Sequence, residues 1–330
     1  MQRTERRSAR CLAAGLLLLS CLLAMPVRAD AAGQAPTIDQ LQAHLDGAAP
    51  LAADRLLALA NRLSSDGQQL ASSADSLRRA FRAVDAYETK VGPLFINAAT
   101  HDGFARKPAG GLELHQAMFA LQQALIDHAY TPRNLATFRE VLDGVGFRTA
   151  AYFPGPVSAK PDPNQVYRVT VNASQPAAWG SPVMFDEDPA RRPTGCYLAP
   201  GSIATVTVPP ALAGKGFAVR VGAHSWDLKE KPLVTRLDRV SLVYPIEAVD
   251  TLIANPLGGN IYIEVPCRAD AGLVEVAIRN VVRSPFFSAR GFAKTTLADW
   301  RDTERHCPGP WADFESDKFM MQVPTKWIYA

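Results

Sequence analysis

The chain has 330 residues, 48% hydrophobic and 20% charged, which suits a folded protein with more than one domain and excludes a fibrous or low-complexity chain. Its 35 Lys and Arg against 32 Asp and Glu give a net charge of +3. No basic stripe with interleaved aromatics accompanies that charge, which argues against a nucleic-acid partner.

Residues 1–29 read as an export signal. Arg3, Arg6, Arg7 and Arg10 form a basic start, CLAAGLLLLSCLLAM (Cys11 to Met25) an apolar centre, and Val27-Arg28-Ala29 a small-residue site for cleavage before Asp30. The apolar run is short for a membrane span. Leu18-Leu19-Ser20-Cys21 is also an acceptable lipobox, so lipidation at Cys21 is the alternative, with membrane attachment only in that case. The expected location is secreted or periplasmic, or lipid-anchored. Residues 1–29 carry five Arg and one Glu, so removing their +4 leaves the remainder at 3 − 4 = −1.

Residues 30–150 are predicted to form an α-helical domain of four or five helices. Apolar residues recur at helical spacing in Leu51 to Leu63, Ser73 to Val91 and Leu112 to Tyr130. Thr131-Pro132 suits the N-cap and first position of a further helix through NLATFREVLDG, with Gly144 closing it. His115 and His128, on one predicted helix, read as partly exposed residues without a metal partner. FPGPVSAKPDPNQ supplies a Pro-rich linker over 151–165.

From 166 to 290 the period becomes two. QVYRVTV, IATVTV, GFAVRVG, RVSLVYPI, NIYIEV and GLVEVAIR read as strands of an antiparallel β-sandwich. Residues 291–330 look like a connector that does not complete the sandwich. The closing FMMQVPTKWIYA is so apolar that it needs a cover. It is either the opening of a domain that this chain does not contain, or a tail folded back on the sandwich.

Beyond residue 29 stand Cys196, Cys267 and Cys307. Export favours pairing, and three cysteines allow one disulfide plus one buried thiol, or a partner in polypeptide outside the chain. None of the six histidines has a second histidine four residues away, so HExxH is absent, as are GxSxG, GxGxxG and Walker-type loops. His306-Cys307 lacks a nearby orienting group, and a catalytic dyad is not expected there. The predicted site is therefore one of binding. His224, Trp226 and Tyr197, with Trp179, are the candidate contacts for sugar or peptide, because aromatic rings stack on apolar faces. The favoured reading of His224 and Trp226 is nonetheless a packed ring and a loop hydrogen bond, with Asp227 capping the loop rather than binding metal.

TGCYLAPG, the VTVPP strand, VRVGAHSWDL, NPLGGNIYIEV and the closing WADFESDKFMMQVPTKWIYA, over roughly 165–330, together resemble the region ahead of the catalytic domain in M60 (enhancin-like) metallopeptidases, particularly the ImpA-like branch. The resemblance implies the front of a secreted zinc peptidase that acts on O-glycosylated, mucin-like proteins. It implies zinc held by HExxH and a downstream Glu in the full-length protein, none of which occurs here, so no zinc and no catalytic residue is assigned to this chain, which is expected to be inactive alone. The fold class that follows is α+β multidomain: a helical bundle, then an antiparallel β-sandwich, ending at the start of a truncated peptidase domain. The alternative is a stand-alone exported module that binds glycans or glycoproteins.

Overall fold

The computed structural model describes residues 35–107, 110–175 and 188–328. The export signal, Cys21, Trp179, Tyr329 and Ala330 lie outside them. Helices come first: α1 Ala35–Leu45, α2 Ala53–Ser65, α3 Ala74–Lys90, α4 Glu113–Ala129, α5 Pro132–Thr137 and α6 Arg139–Leu142. The Ser73 side chain accepts the Ser76 amide at the start of α3, and Thr131 does the same for Asn134 with Pro132 at the first helical position. Each side chain occupies a donor that the helix itself cannot satisfy. The single helix expected through 134–144 is interrupted at Phe138, where ψ rises to 27°. Gly144 follows α6 at φ +78°, the left-handed position that glycine fills at a helix end.

His115 departs from its predicted exposure. It is 6% exposed, and its Nδ1 lies 2.6 Å from the Tyr87 hydroxyl. Glu88, also on α3, is buried and ties the helices to the chain that leaves them. Its carboxylate accepts from Gln122 Nε2, the Arg148 and Thr149 amides and Thr149 Oγ1. Burial raises its pKa against the pull of those donors.

The strands, in chain order, are β1 Phe104–Ala105, β2 Val166–Ser174, β3 Ala190–Leu198, β4 Ile203–Thr207, β5 Ala218–Val221, β6 Leu233–Val234, β7 Leu242–Pro245, β8 Asp250–Ala254, β9 Gly259–Val265, β10 Asp270–Arg279, β11 Val282–Arg283, β12 Phe286–Ser288, β13 Trp311–Glu315 and β14 Met320–Pro324. A sheet β2-β10-β4-β8 faces a sheet β11-β3-β9-β5-β7, the antiparallel sandwich expected from the alternating strands. Three of its strands, β3, β8 and the two-residue β11, were not among the predicted ones. ARRPTGCYL hides its strand behind a proline and a glycine, and the ladder tolerates them by shifting register between Pro193 and Tyr197. Gly258 makes the turn into β9 at φ +72°, where an added Cβ would sit 2.5 Å from the Leu198 carbonyl oxygen.

β9 is buried at every position. Ile261, Ile263 and Val265 alternate with Asn260, Tyr262 and Glu264, so one face enters the sandwich core and the other needs a polar cover. The region 291–328 supplies it. After α7 Leu297–Asp302, opened by a Thr296–Asp299 capping box, the chain forms a third sheet, β12-β13-β14, in which β12 and β13 are parallel and β13 and β14 antiparallel. FMMQV thus enters a strand that pairs within this chain, and Thr325–Trp327 makes a 3₁₀ turn. Phe319, Met321 and Trp327 stay exposed all the same.

Residues 31–330 are one unit of contacts, and the helices meet the sandwich through polar clamps. Arg239 grips Asp127 at 2.6 Å, Arg106 grips Asp238 at 2.7 Å, and the Phe147 amide donates to the Pro256 carbonyl at 2.9 Å. No disulfide joins Cys196, Cys267 and Cys307, contrary to the expected pairing. Arg283 stands beside both Cys196 and Cys307: it is in register with Cys196 across β11 and β3, and its charge acts on both thiols.

Candidate functional site

His224, Trp226 and Tyr197 occupy three different environments. Gly222 ends β5 at φ +89° and turns the chain into the loop 223–232. Asp227 caps that loop by accepting the Lys229 amide at 2.9 Å and pairs with Arg239. His224 packs edge-on against Phe153 and Trp311, with ring centroids 4.8 and 4.7 Å away. Burial, with Arg236 and Arg191 nearby, lowers its pKa to about 4. It is a neutral packed ring at ordinary pH. Trp226 is 68% exposed, and its carbonyl accepts from Arg236. Tyr197 is 0% exposed. It is no stacking platform, because its ring is covered on the face of the sheet that it shares with Asn260, its partner in register, and its hydroxyl has no partner among the described residues.

The structure brings together a different set of residues. The Pro-rich stretch 151–158, residues 306–311 and residues 324–327 enclose a groove of about 830 Å³. Tyr152, Phe153, Pro154, Pro310, Trp311 and Trp327 supply its apolar surface, and Ser158, Thr325 and Lys326 polar groups. Trp311 is fixed by its Nε1 donating to the Pro154 carbonyl at 2.6 Å, while Arg236 stands over Phe153 at 5.3 Å. Tyr152 and Trp327 are 40% and 66% exposed, leaving two rings for a ligand. Sequence reasoning missed this groove because its three segments are more than 150 residues apart at the extremes. The available signal was the density of prolines and aromatics in each.

His306 and Cys307 line the groove without forming a catalytic pair. His306 Nε2 is 3.1 Å from the Arg301 carbonyl. Burial and Glu304 push the Cys307 thiol up, away from the thiolate that nucleophilic chemistry needs.

Beneath the groove, β13 docks on the polar face of β9. Asp313 is 1% exposed. Tyr262 donates to its Oδ1 at 2.8 Å, and Asn260 Nδ2 to its Oδ2 at 2.7 Å. Gln322 of β14 donates to the Tyr262 oxygen at 2.8 Å. No cation pairs with Asp313 among the described residues, and burial carries its pKa to about 7.

Among the described residues no three His, Cys, Asp or Glu side chains are grouped to hold a metal ion, so the zinc implied by the resemblance finds no donor set there. No helix among them is long and apolar enough to cross a membrane.

The chain is 30% identical over 135 residues to the TRPM8 channel-associated factor homolog of Danio rerio, a match covering 41% of this chain and 14% of that protein. It is 29% identical over 136 residues to TRPM8 channel-associated factor 1 of Homo sapiens, covering 40% and 14%. Among solved structures, the IMPa metallopeptidase from Pseudomonas aeruginosa aligns with 77% of this chain and 28% of its own at 13% identity and TM-score 0.40. The ZmpB metallopeptidase from Clostridium perfringens aligns with 50% and 34% at 11% identity and TM-score 0.36. Residues 162–279 match the N-terminal domain of M60-like peptidases. Over those residues this chain therefore carries an M60-like N-terminal domain, the family that its TGCYLAPG and NPLGGNIYIEV motifs resemble.

Proposed function

We propose that this chain is the non-catalytic front of an exported M60-type zinc metallopeptidase acting on O-glycosylated, mucin-like proteins, and that its groove contributes to holding the glycan-bearing substrate. The observation that carries the reading is the M60-like N-terminal domain at 162–279. The arginine-rich, apolar first 29 residues support export to the periplasm or outside the cell, with lipid attachment at Cys21 as the other route. IMPa of Pseudomonas aeruginosa has been solved with an O-glycopeptide and with T-antigen. In this chain the apolar faces of a sugar have two exposed rings to lie on, Tyr152 and Trp327, with Ser158 and Lys326 beside them for hydroxyl groups.

The groove also favours a second reading, in which the chain by itself is an exported glycan- or glycoprotein-binding module. Titration calorimetry with a mucin-type O-glycopeptide and with its unglycosylated peptide tests the shared element. Binding of the glycosylated form only, weakened about tenfold by Trp327→Ala, supports groove recognition. Equal binding of both peptides removes the glycan from the reading. Chelator-sensitive hydrolysis of the glycopeptide by the purified chain would overturn the non-catalytic assignment.

A further inference from the structure

A second cavity, of about 600 Å³, opens between α3 and residues 140–148 and shares no lining residue with the groove. Phe81, Val141 and Phe147 are buried side chains that give it an apolar lining, with the two rings 6.5 Å apart between centroids. Asp75, Arg78, Arg82 and Asp85 recur at intervals of three and four along α3, so one stripe of the helix borders the cavity. The acids at the ends of that stripe are occupied. Arg79 holds Asp75 at 2.9 Å, and Arg148 holds Asp85 at 3.1 Å.

The two arginines between them are different. Arg78 and Arg82 are exposed, and neither has a hydrogen-bond or ion-pair partner among the described residues. Arg79 lies between them in sequence but outside the lining, and it pairs with both Asp39 and Asp75. The unpaired cations are thus the ones that border the cavity. Like charges one turn apart repel, and nothing among the described residues offsets this pair. Glu140 lines the cavity from α6 and is also without an ion-pair partner, reaching neither arginine.

We propose that this cavity is a second binding site, specific for an acidic sugar. Its carboxylate or sulfate ester is held by the guanidiniums of Arg78 and Arg82, whose planar forks match either group. Its hydroxyls donate to Glu140, because a carboxylate only accepts. Its apolar face lies against the ring-lined side, and the volume suits a small organic ligand. A neutral sugar would leave both arginines unmet, and a simple aliphatic acid would leave Glu140 unmet. The choice of a sugar rests on the glycoprotein reading above, whereas the anion subsite does not.

The experiment is titration calorimetry of the whole chain with sialyllactose, sulfated galactose, lactose and phenylalanine, with amide shifts to map the site. At least one acidic sugar is expected to bind, and lactose at least about tenfold more weakly. The two acidic probes separate carboxylate from sulfate. Amide shifts should move at residues 78–85 and 140–148, and added salt should weaken binding. Arg78→Gln and Arg82→Gln should each weaken it about tenfold. Both replace exposed, unpartnered side chains with another good helix former, so the fold is retained. Trp327→Ala should leave it unchanged. Lactose binding as tightly as the acidic sugars overturns the proposal, as does acidic-sugar binding indifferent to both arginines. Tighter binding of phenylalanine, a zwitterion that also answers both signs, overturns the sugar assignment. Loss of glycopeptide binding at the groove, with acidic sugars still held through Arg78 and Arg82, sinks the groove's use and leaves this site standing. The reverse result sinks this site alone.

Discussion

Arg106 and Asp238, 132 residues apart, close a two-pronged ion pair between the chain that enters α4 and the sandwich. Nη1 donates to Oδ2 at 3.0 Å and Nη2 to Oδ1 at 2.7 Å. The same guanidinium donates to the Lys231 and Leu228 carbonyls, and Asp238 is 4% exposed. Removing the arginine leaves a buried carboxylate without its cation. Arg106→Ala is expected to cost about 3 kcal/mol. Arg106→Lys recovers little of it, because an ammonium cannot reproduce the fork. Urea denaturation of the three proteins checks both statements.

Glu88 is surrounded by four donors, three of them from Arg148 and Thr149. Glu88→Gln turns one acceptor oxygen into a donor that faces other donors. A loss of about 2 kcal/mol is expected, together with faster amide exchange at residues 148 and 149. Unchanged stability would mean that the helical layer is not anchored through this carboxyl.

Tyr197 gives the opposite expectation. Its ring is fully buried, and its hydroxyl has no hydrogen-bond partner among the described residues. Tyr197→Phe removes only the unsatisfied group and should be neutral or stabilising by about 1 kcal/mol. Glycan binding should not change, since the ring never reaches solvent. A melting temperature lowered by several degrees would indicate a hydrogen-bond partner for that hydroxyl.

Gly258 combines a left-handed φ of +72° with a Cβ position 2.5 Å from the Leu198 carbonyl. Gly258→Ala strains the backbone and collides with β3 at the same time. A cost of about 2–4 kcal/mol is expected. Gly214 is at φ +65° with open space around it. Gly214→Ala therefore separates conformational strain from collision, and a thermal melt of the pair checks the difference.

The sandwich was legible because the inward residues of its strands alternate with outward ones, and the helical layer because Ser73, Thr131 and Pro132 mark starts that local physics dictates. β3 escaped because Pro193 and Gly195 break the alternation, although a register shift lets the ladder absorb both. The third sheet escaped for a different reason. Phe286–Ser288 and Trp311–Glu315 are parallel strands, and such a pairing leaves no turn signal between its members. The site followed the same division. His224 and Trp226 are conspicuous in sequence, yet one is a packed ring and the other stands alone on its loop. The groove depends on Tyr152 meeting residues near 310 and 327, a juxtaposition that belongs to tertiary structure.

The covered face of β9 has a practical bearing on how this protein is divided for expression. A piece closing at residue 290 would retain both sheets of the sandwich but strip β13 and β14 from Asn260 and Tyr262, wetting a surface built to be dry. Such a piece would present a patch mixing tyrosine, amide and strand edge to its neighbours in solution, the profile of material that self-associates on concentration. A piece running through residue 328 carries its own lid.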